Sequence, residues 1–442
     1  MKIAIVGNVN NNGFALMRYL RDLGADAHLL LYANDGVDSL AHFRPESDTW
    51  HIDRWRPFIH QTNIVNGLCS ALPDPLQRAL KLWHSARHYK GKRVERIGSS
   101  ARDFRHALAR YDKVIGSGIS AALGYRAGMP LDVFFPYSTG VEFLGSQALT
   151  SRLAQMGPVR RTVTTLAIKA QCAGVRAAHA VVTAEHTLTK TVLSSIDVVP
   201  ISLPIPMVYC ETAPYLSCLS GAARQTIDQM RTSRMVLSCA RQLWRNPGHM
   251  SQDEWARESK NSDWLIRGFA ELVAAGRFED TTLGLTEYGP DVSASKALCD
   301  TLGIANRVAW IPKLPRREVL ALLPHAFVIV GEFKQVDEML WGGTGWEALS
   351  AGRPLVHSFR FADGRFEAIY GMPRPPVCAV SSATDVPDVL SRLLSRSGEA
   401  DLVGQRSKRW FDEYCGAGLA AKWLALLNDP TSVMRPLLTT PC

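Results

Sequence analysis

Residues 326–360 read A-F-V-I-V-G-E-F-K-Q-V-D-E-M-L-W-G-G-T-G-W-E-A-L-S-A-G-R-P-L-V-H-S-F-R. The apolar run 326–330 is what a strand buried on both faces of a parallel sheet requires. Glu332 follows at once, then a polar and acidic loop, then Gly342, Gly343 and Gly345. The glycines lead into Trp346-Glu347-Ala348-Leu349, where the spacing predicts a helix that Gly352-Arg353-Pro354 closes. Residues 355–357 read as the next strand. A glycine-rich turn into a helix start offers backbone N–H groups and the positive end of a dipole, which suits a diphosphate. Glu347, one turn further on, is placed to accept from sugar hydroxyls. An ordinary strand–loop–helix unit with a solvated glutamate has the same outline.

Around this stretch the pattern is alternating strand and helix. Residues 2–7 and 27–32 read as strands on either side of a helix over 13–23, a βαβ unit. Its turn is G-N-V-N-N-N-G-F rather than G-x-G-x-x-G, and no acidic residue is clearly placed after the second strand, since Asn34-Asp35 reads as loop. A dinucleotide-dependent dehydrogenase is therefore disfavoured. Asn10, Asn11, Asn12 and Gly13 make a polar turn at the helix start. Residues 33–75 read as an aromatic-rich loop region with Trp50, Trp55 and Pro57, and basic helices follow to 109. Further strands are expected at 113–115, 133–136, 180–183 and 198–201, with helices over 153–178 and 185–193. In the second half, strands are expected at 235–239, 282–285, 308–311 and finally 380–381, with helices between them and a last pair over 383–394 and up to 427.

These residues carry a resemblance. G-T-G-W-E-A-L-S-A-G-R-P-L-V is similar to the nucleotide-binding segment of GT-B glycosyltransferases of the group-1, family-4-like type, in which a glycine loop and the phrase E-A-(M/L)-A-x-G-x-P-V end an E-x7-E motif. The resemblance implies two Rossmann-like, doubly wound α/β domains facing a cleft, with a C-terminal helix crossing back to the N-terminal domain. Its domains fall at 1–206 on the acceptor side and 207–404 on the nucleotide-sugar side, with a crossover helix at 405–428 and a tail at 429–442. It implies that Glu347 holds the ribose and that an earlier acidic residue faces the donor sugar. That residue is Glu332 after its strand, with Asp337 and Glu338 as rivals in the loop, because the position eight before Glu347 is Met339. Gly343, Thr344 and Gly345 would line the diphosphate.

The resemblance extends the donor site to Arg241, at the end of the strand 235–239, and to Lys260 at the next helix start, as the pair that grips the diphosphate. Between them lies an insert, 242–259, with Trp244 and Trp255. On the acceptor side it points to the Asn12-Gly13 turn and to Glu142, which follows the strand 133–136 in Tyr137-Ser138-Thr139-Gly140-Val141-Glu142; a surface glutamate is the alternative. The family's I-P-N-G hinge turn reads Leu203-Pro204-Ile205-Pro206 here. The implied activity is transfer of a sugar from a nucleotide diphosphate sugar to an acceptor hydroxyl, usually with retention, needing no metal and no cofactor beyond the donor substrate. A GT-B-fold epimerase or hydrolase of sugar nucleotides, and a non-catalytic sugar-binding partner, are the rival readings.

Composition sets the outer bounds. A chain of 442 residues that is 46% hydrophobic can bury two cores. It contains no run of about 18 apolar residues, and residues 1–7 read as a first strand rather than a leader. Nine scattered cysteines, without C-x-x-C spacing, suit reduced thiols in a cytoplasmic protein rather than structural zinc. The formal charge of +9 is uneven: residues 78–110 hold ten Lys and Arg against Glu95 and Asp103. Such a segment suits an anionic surface, a phospholipid face or a lipid-linked acceptor at the inner membrane more than nucleic acid, or else a solvated helix pair.

Overall fold

The computed structural model describes residues 1–33, 44–136 except 88–99, 153–183, 192–211, 216–248 and 250–429, with backbone alone over 81–87. The chain divides into two compact units: Met1–Glu46, His51–Tyr209 and Leu419–Cys442 form the first, and Ser47–Trp50 with Cys210–Gly418 the second.

In the first unit the strands are β1 (Lys2–Val6), β2 (Asp26–Leu31), β3 (Ile59–Gln61), β4 (Lys113–Gly116), β5 (Val133–Phe134), β6 (Ala180–Thr183) and β7 (Ile201–Ser202). They pair in parallel in the order β3-β2-β1-β4-β5-β6-β7. Residues Ile3 to Val6 are buried without alternation, as expected where helices cover both faces. Strand order reverses between β1 and β4, and the carboxyl end of that junction is where open α/β sheets receive ligands. The helix Ser120–Ala127 packs so closely on Pro158–Ala177 that a Cβ on Gly174 would lie 2.0 Å from the Ala121 carbonyl oxygen. Gln171 closes that contact, accepting from Ala122 N at 3.0 Å and donating to the Gly118 carbonyl at 2.8 Å. The last helix, Ala417–Asn428, returns the chain to this unit: Trp423 is fully buried and its indole N–H donates to the Pro204 carbonyl at 2.8 Å.

The second unit holds β8 (Arg234–Ser238), β9 (Thr281–Thr286), β10 (Val308–Ile311), β11 (Val328–Val330), β12 (Leu355–His357) and β13 (Val377–Ala379). All are parallel in the order β10-β9-β8-β11-β12-β13, which puts the reversal between β8 and β11. The core is one apolar cluster that joins Val236, Val328 and Val356 of the sheet to Ile266 and Phe269 on one helix and Leu390 and Leu393 on another. Gly268 lets the helix Ser262–Ala274 approach Asp385–Ser395, since a Cβ there would lie 2.8 Å from Val386 Cγ1. Among the described residues no helix is long and apolar enough to cross a membrane.

Local differences from the sequence reading have identifiable causes. The region 33–75 is not all loop, because Ile59–Gln61 pairs with β2 as a short edge strand whose single large apolar residue gives no pattern. The last strand is Val377–Ala379 rather than 380–381; Pro373, Pro375 and Pro376 just before it mask the signal. The strand expected over 198–201 is confined to Ile201–Ser202. The insert 242–259 contains the helix Gln252–Glu258, opened by a reciprocal Ser251–Glu254 capping box. The helix around Glu347 runs over Gly343–Ser350, beginning three residues before Trp346. Of the helix expected over 185–193, residues 185–191 lie outside the described residues.

Candidate functional site

The carboxyl end of β11 sets the geometry of the second unit. Glu332 follows the strand by two residues and is 7% exposed. Its carbonyl is fixed by the Ser358 N–H and hydroxyl, both at 3.1 Å. The chain then loops out and comes back through Gly342 to the helix Gly343–Ser350, in the same parallel crossover to β12. Both glutamates meet at the glycine turn. A Cβ on Gly342 would lie 3.5 Å from Glu332 Oε1, and one on Gly343 would lie 3.6 Å from Glu347 Oε1. Gly345 can only be glycine, because a Cβ there would lie 2.0 Å from the Trp341 ring. Trp341 in turn packs against Trp346, Phe359 and Trp410, an aromatic base under the turn. Gly343 and Thr344 begin the helix, so their N–H groups have no partner within it.

The ends of β8 and of the following helix bring basic groups to this place. Lys260 Nζ lies 2.7 Å from Glu332 Oε2, and Lys334 Nζ lies 3.7 Å from the same oxygen. Burial alone would raise the Glu332 carboxyl, but Lys260, then Lys334 and His357, outweigh it and bring it down to about 2. Burial pushes the Lys260 ammonium down while Glu332 opposes it. Glu332 is therefore an ionised acceptor at neutral pH. Arg241 is exposed and makes no ion pair among the described residues. Its peptide is locked in place: Gln242 N donates to the Tyr288 carbonyl at 2.7 Å, and the Ser262 hydroxyl donates to the Arg241 carbonyl at 3.3 Å. The insert does not carry this strand end away, since Lys260 N donates back to the Leu243 carbonyl at 2.7 Å. Lys260 and Lys334 against Glu332 leave a local excess of positive charge.

Four members of the site carried no recognised signal in the sequence. Arg316 Nε donates to Glu347 Oε1 at 2.7 Å, and its Nη1 lies 3.2 Å from Asp48 Oδ1. Lys334 could have been noticed two residues after Glu332; Arg316 lies in a basic pair at a helix start; nothing marks Asp48. His357, the last residue of β12, is buried and donates from Nδ1 to the Ser358 carbonyl at 2.8 Å if that nitrogen carries the proton. Burial pushes His357 down to about 4, against the pull of Glu332, so it is neutral at pH 7. The loop rivals of Glu332 go elsewhere. Asp337 is exposed and pairs with Arg360 at 2.7 Å, and Glu338 pairs with Arg365 at 2.6 Å.

In the first unit, Asn12 and Gly13 open the helix Asn12–Asp22 at the carboxyl end of β1. Asn10 and Asn11 are both left-handed, with φ of 51° and 58°. Asn8 accepts from Phe14 N at 3.0 Å, which caps the helix from outside. Gly13 lies against β1 so closely that a Cβ would meet the Gly7 carbonyl oxygen at 2.4 Å. Asn12 is 2% exposed, and neither its amide nitrogen nor its oxygen has a hydrogen-bond partner among the described residues. It borders a small pocket with Gly7, Gly116, Ser117, Phe135 and Ile205 at the β1–β4 junction. Glu142 lies outside the described residues, as does much of the basic stretch 78–110.

No family model and no curated protein sequence matches this chain. Solved structures do. HepE from Anabaena in complex with UDP is 12% identical, with 98% of this chain and 100% of that one covered at a TM-score of 0.55. The same protein in complex with UDP-glucose is 13% identical over the same shares, at 0.54. A glycosyltransferase from Rickettsia africae is 11% identical, with 98% of both chains covered at 0.56. With its two parallel sheets of seven and six strands, the chain has the GT-B fold of two Rossmann-like domains.

Proposed function

We propose that this chain is a glycosyltransferase that moves a sugar from a nucleoside diphosphate sugar to an acceptor hydroxyl. The observation that carries the reading is the pair of carboxylates, Glu332 and Glu347, on either side of the Gly342–Gly343 turn, with Arg241 and Lys260 at the adjoining strand and helix ends. Glu347 takes the ribose hydroxyls, and the N–H groups of Gly343 and Thr344 lie along the diphosphate, with Gly345, whose own N–H donates to the Gly342 carbonyl, shaping the turn beside them. Arg241 and Lys260 bind its negative charge. Glu332, ionised and held by two lysines, accepts from hydroxyls of the donor sugar rather than acting as a general acid. In the transfer, the bond from the anomeric carbon to the β-phosphate oxygen breaks, the acceptor oxygen bonds to that carbon, and the acceptor's hydroxyl proton passes to the departing diphosphate. The charge released onto the diphosphate is met by the arginine, the lysine and the helix dipole. Retention of configuration is the expected outcome.

The first unit takes the acceptor, a glycan or a lipid-linked saccharide, with the Asn12-Gly13 turn and Glu142 on its path. The basic stretch 78–110 would hold the protein to the anionic inner face of a membrane. HepE binds UDP and UDP-glucose, and uridine nucleotides are therefore the first donors to test. Thermal-shift measurement with UDP, ADP, GDP and their sugar conjugates, followed by mass spectrometry of product mixtures with and without acceptors, tests the reading. Transfer supports it. Turnover of the donor without an acceptor would make the protein a sugar-nucleotide hydrolase or epimerase, and binding alone a non-catalytic partner.

A further inference from the structure

The turn that follows β11 is tied from both sides. Toward β12, the Ser358 hydroxyl donates to the Glu332 carbonyl at 3.1 Å and accepts from Lys334 N at 3.0 Å. Toward the other neighbour, Phe333 N donates to the Lys260 carbonyl at 3.1 Å, and Asn261 Nδ2 donates to the Phe333 carbonyl at 2.6 Å. The buried Phe333 ring stacks on Trp264, with centroids 5.8 Å apart. Lys334 therefore leaves a fixed backbone, and its side chain is only 12% exposed.

The charge that this side chain brings is not fully met. Lys334 Nζ lies 3.7 Å from Glu332 Oε2, longer than a hydrogen bond, and that oxygen already accepts from Lys260 Nζ at 2.7 Å. Among the described residues Lys334 Nζ makes no hydrogen bond and no other ion pair. The other carboxylates of the loop are taken, Asp337 by Arg360 and Glu338 by Arg365. His357 is neutral, so two ammonium groups share one carboxylate, and Lys334 adds to the push that burial puts on Lys260. A cation held this far from solvent without a full partner costs stability. An anion brought by a ligand would complete the set.

We propose that Lys334 is a third cation for the bound donor: it binds an anionic oxygen, of the diphosphate or of a carboxylate on the sugar, that Arg241 and Lys260 leave unmet. The proposal rests on the reading of Lys260 and Glu332 as donor contacts.

The test is equilibrium binding to the full chain, in the wild type and in Lys334→Met. UDP against uridine reads the diphosphate, and UDP-glucuronate against UDP-glucose reads a sugar carboxylate. The same pairs built on adenosine and guanosine are run alongside. In Lys334→Met one of the two affinity ratios is expected to fall by about tenfold, as for a lost charge-assisted bond, with nucleoside affinity unchanged. The ratio that falls names the source of the anion. Thermal melting of the ligand-free chain separates binding from support. A residue that only props up Glu332 would lower the melting temperature when removed. Lys334→Met is expected to melt at or above the wild type, because it takes away a cation that crowds Lys260. If Lys334→Met does not fold, Lys334→Gln carries the same test. A fall of less than about threefold in both ratios, or failure of both variants to fold, overturns the proposal and leaves the donor reading standing. A wild type that binds no nucleotide in any of the three series overturns both.

Discussion

The Lys260 ammonium lies 2.7 Å from Glu332 Oε2, with both side chains largely out of solvent at the reversal point of the second sheet. Breaking one side of such a pair strands the other charge, at a cost of about 3–5 kcal/mol. Glu332→Gln is the sharper test, since it also leaves Lys260 and Lys334 facing each other. Chemical denaturation followed by tryptophan fluorescence should show a loss of that size. The loss should shrink at low pH: the Glu332 carboxyl is depressed in the folded chain, so its contribution exists above the ordinary carboxylate range and disappears as pH falls toward about 2.

Glu347→Ala should weaken nucleotide binding by about 1.5–3 kcal/mol through lost charge-assisted hydrogen bonds. Isothermal titration with the nucleotide that scores highest in the thermal-shift panel reads this out. An unchanged affinity in a folded variant would remove Glu347 from the ribose.

Arg241 is exposed and has no ionic partner among the described residues, so its removal should cost little stability. Arg241→Ala should instead reduce turnover, and reduce diphosphate affinity more than nucleoside affinity. Comparing UDP with uridine separates the two. A wild-type rate would take Arg241 out of the diphosphate site.

Burial holds His357 down at about 4, whereas an unfolded histidine titrates near 6.5. Between those values the unfolded chain takes up a proton that the native chain refuses, so stability falls as pH falls from 6.5 to 4, by about 3 kcal/mol. His357→Asn should flatten that part of the curve. His28, His60 and His325, all also pushed down by burial, contribute to the slope that remains. Denaturant titrations at pH 4.5 and 7 measure the difference, and an equal pH dependence in both proteins would show that His357 charges freely.

The basic stretch 78–110 should bind anionic vesicles at low salt and release them as the Debye length shortens, at about 1 kcal/mol for each Lys or Arg near the surface. Sedimentation with anionic and neutral vesicles, with and without competing DNA, decides it. Protein that stays in the supernatant with anionic vesicles at low salt leaves the stretch as a solvated face and points to a soluble acceptor.

The fold was largely legible because parallel strands buried on both faces must be apolar without interruption. Runs such as 2–6, 180–183, 328–330 and 355–357 therefore stand out between helical patterns and glycine turns. Short edge strands, Ile59–Gln61 above all, bury too little to leave such a trace. For the candidate site, local chemistry marked Glu347 with its glycines, and order along the chain marked Arg241 and Lys260. What a one-dimensional reading could not decide was which of Glu332, Asp337 and Glu338 lies beside the glycine turn. That depends on which cations each carboxylate meets across the fold, and Lys260 is 72 residues away from Glu332. Asp48 is the extreme case. Its partner is 268 residues distant, and no spacing rule links a loop aspartate to an arginine that far along the chain. Hydrophobic periodicity is a local property and is written in the sequence; charge pairing at a strand end is set by the sheet order, and only the tertiary structure decides it.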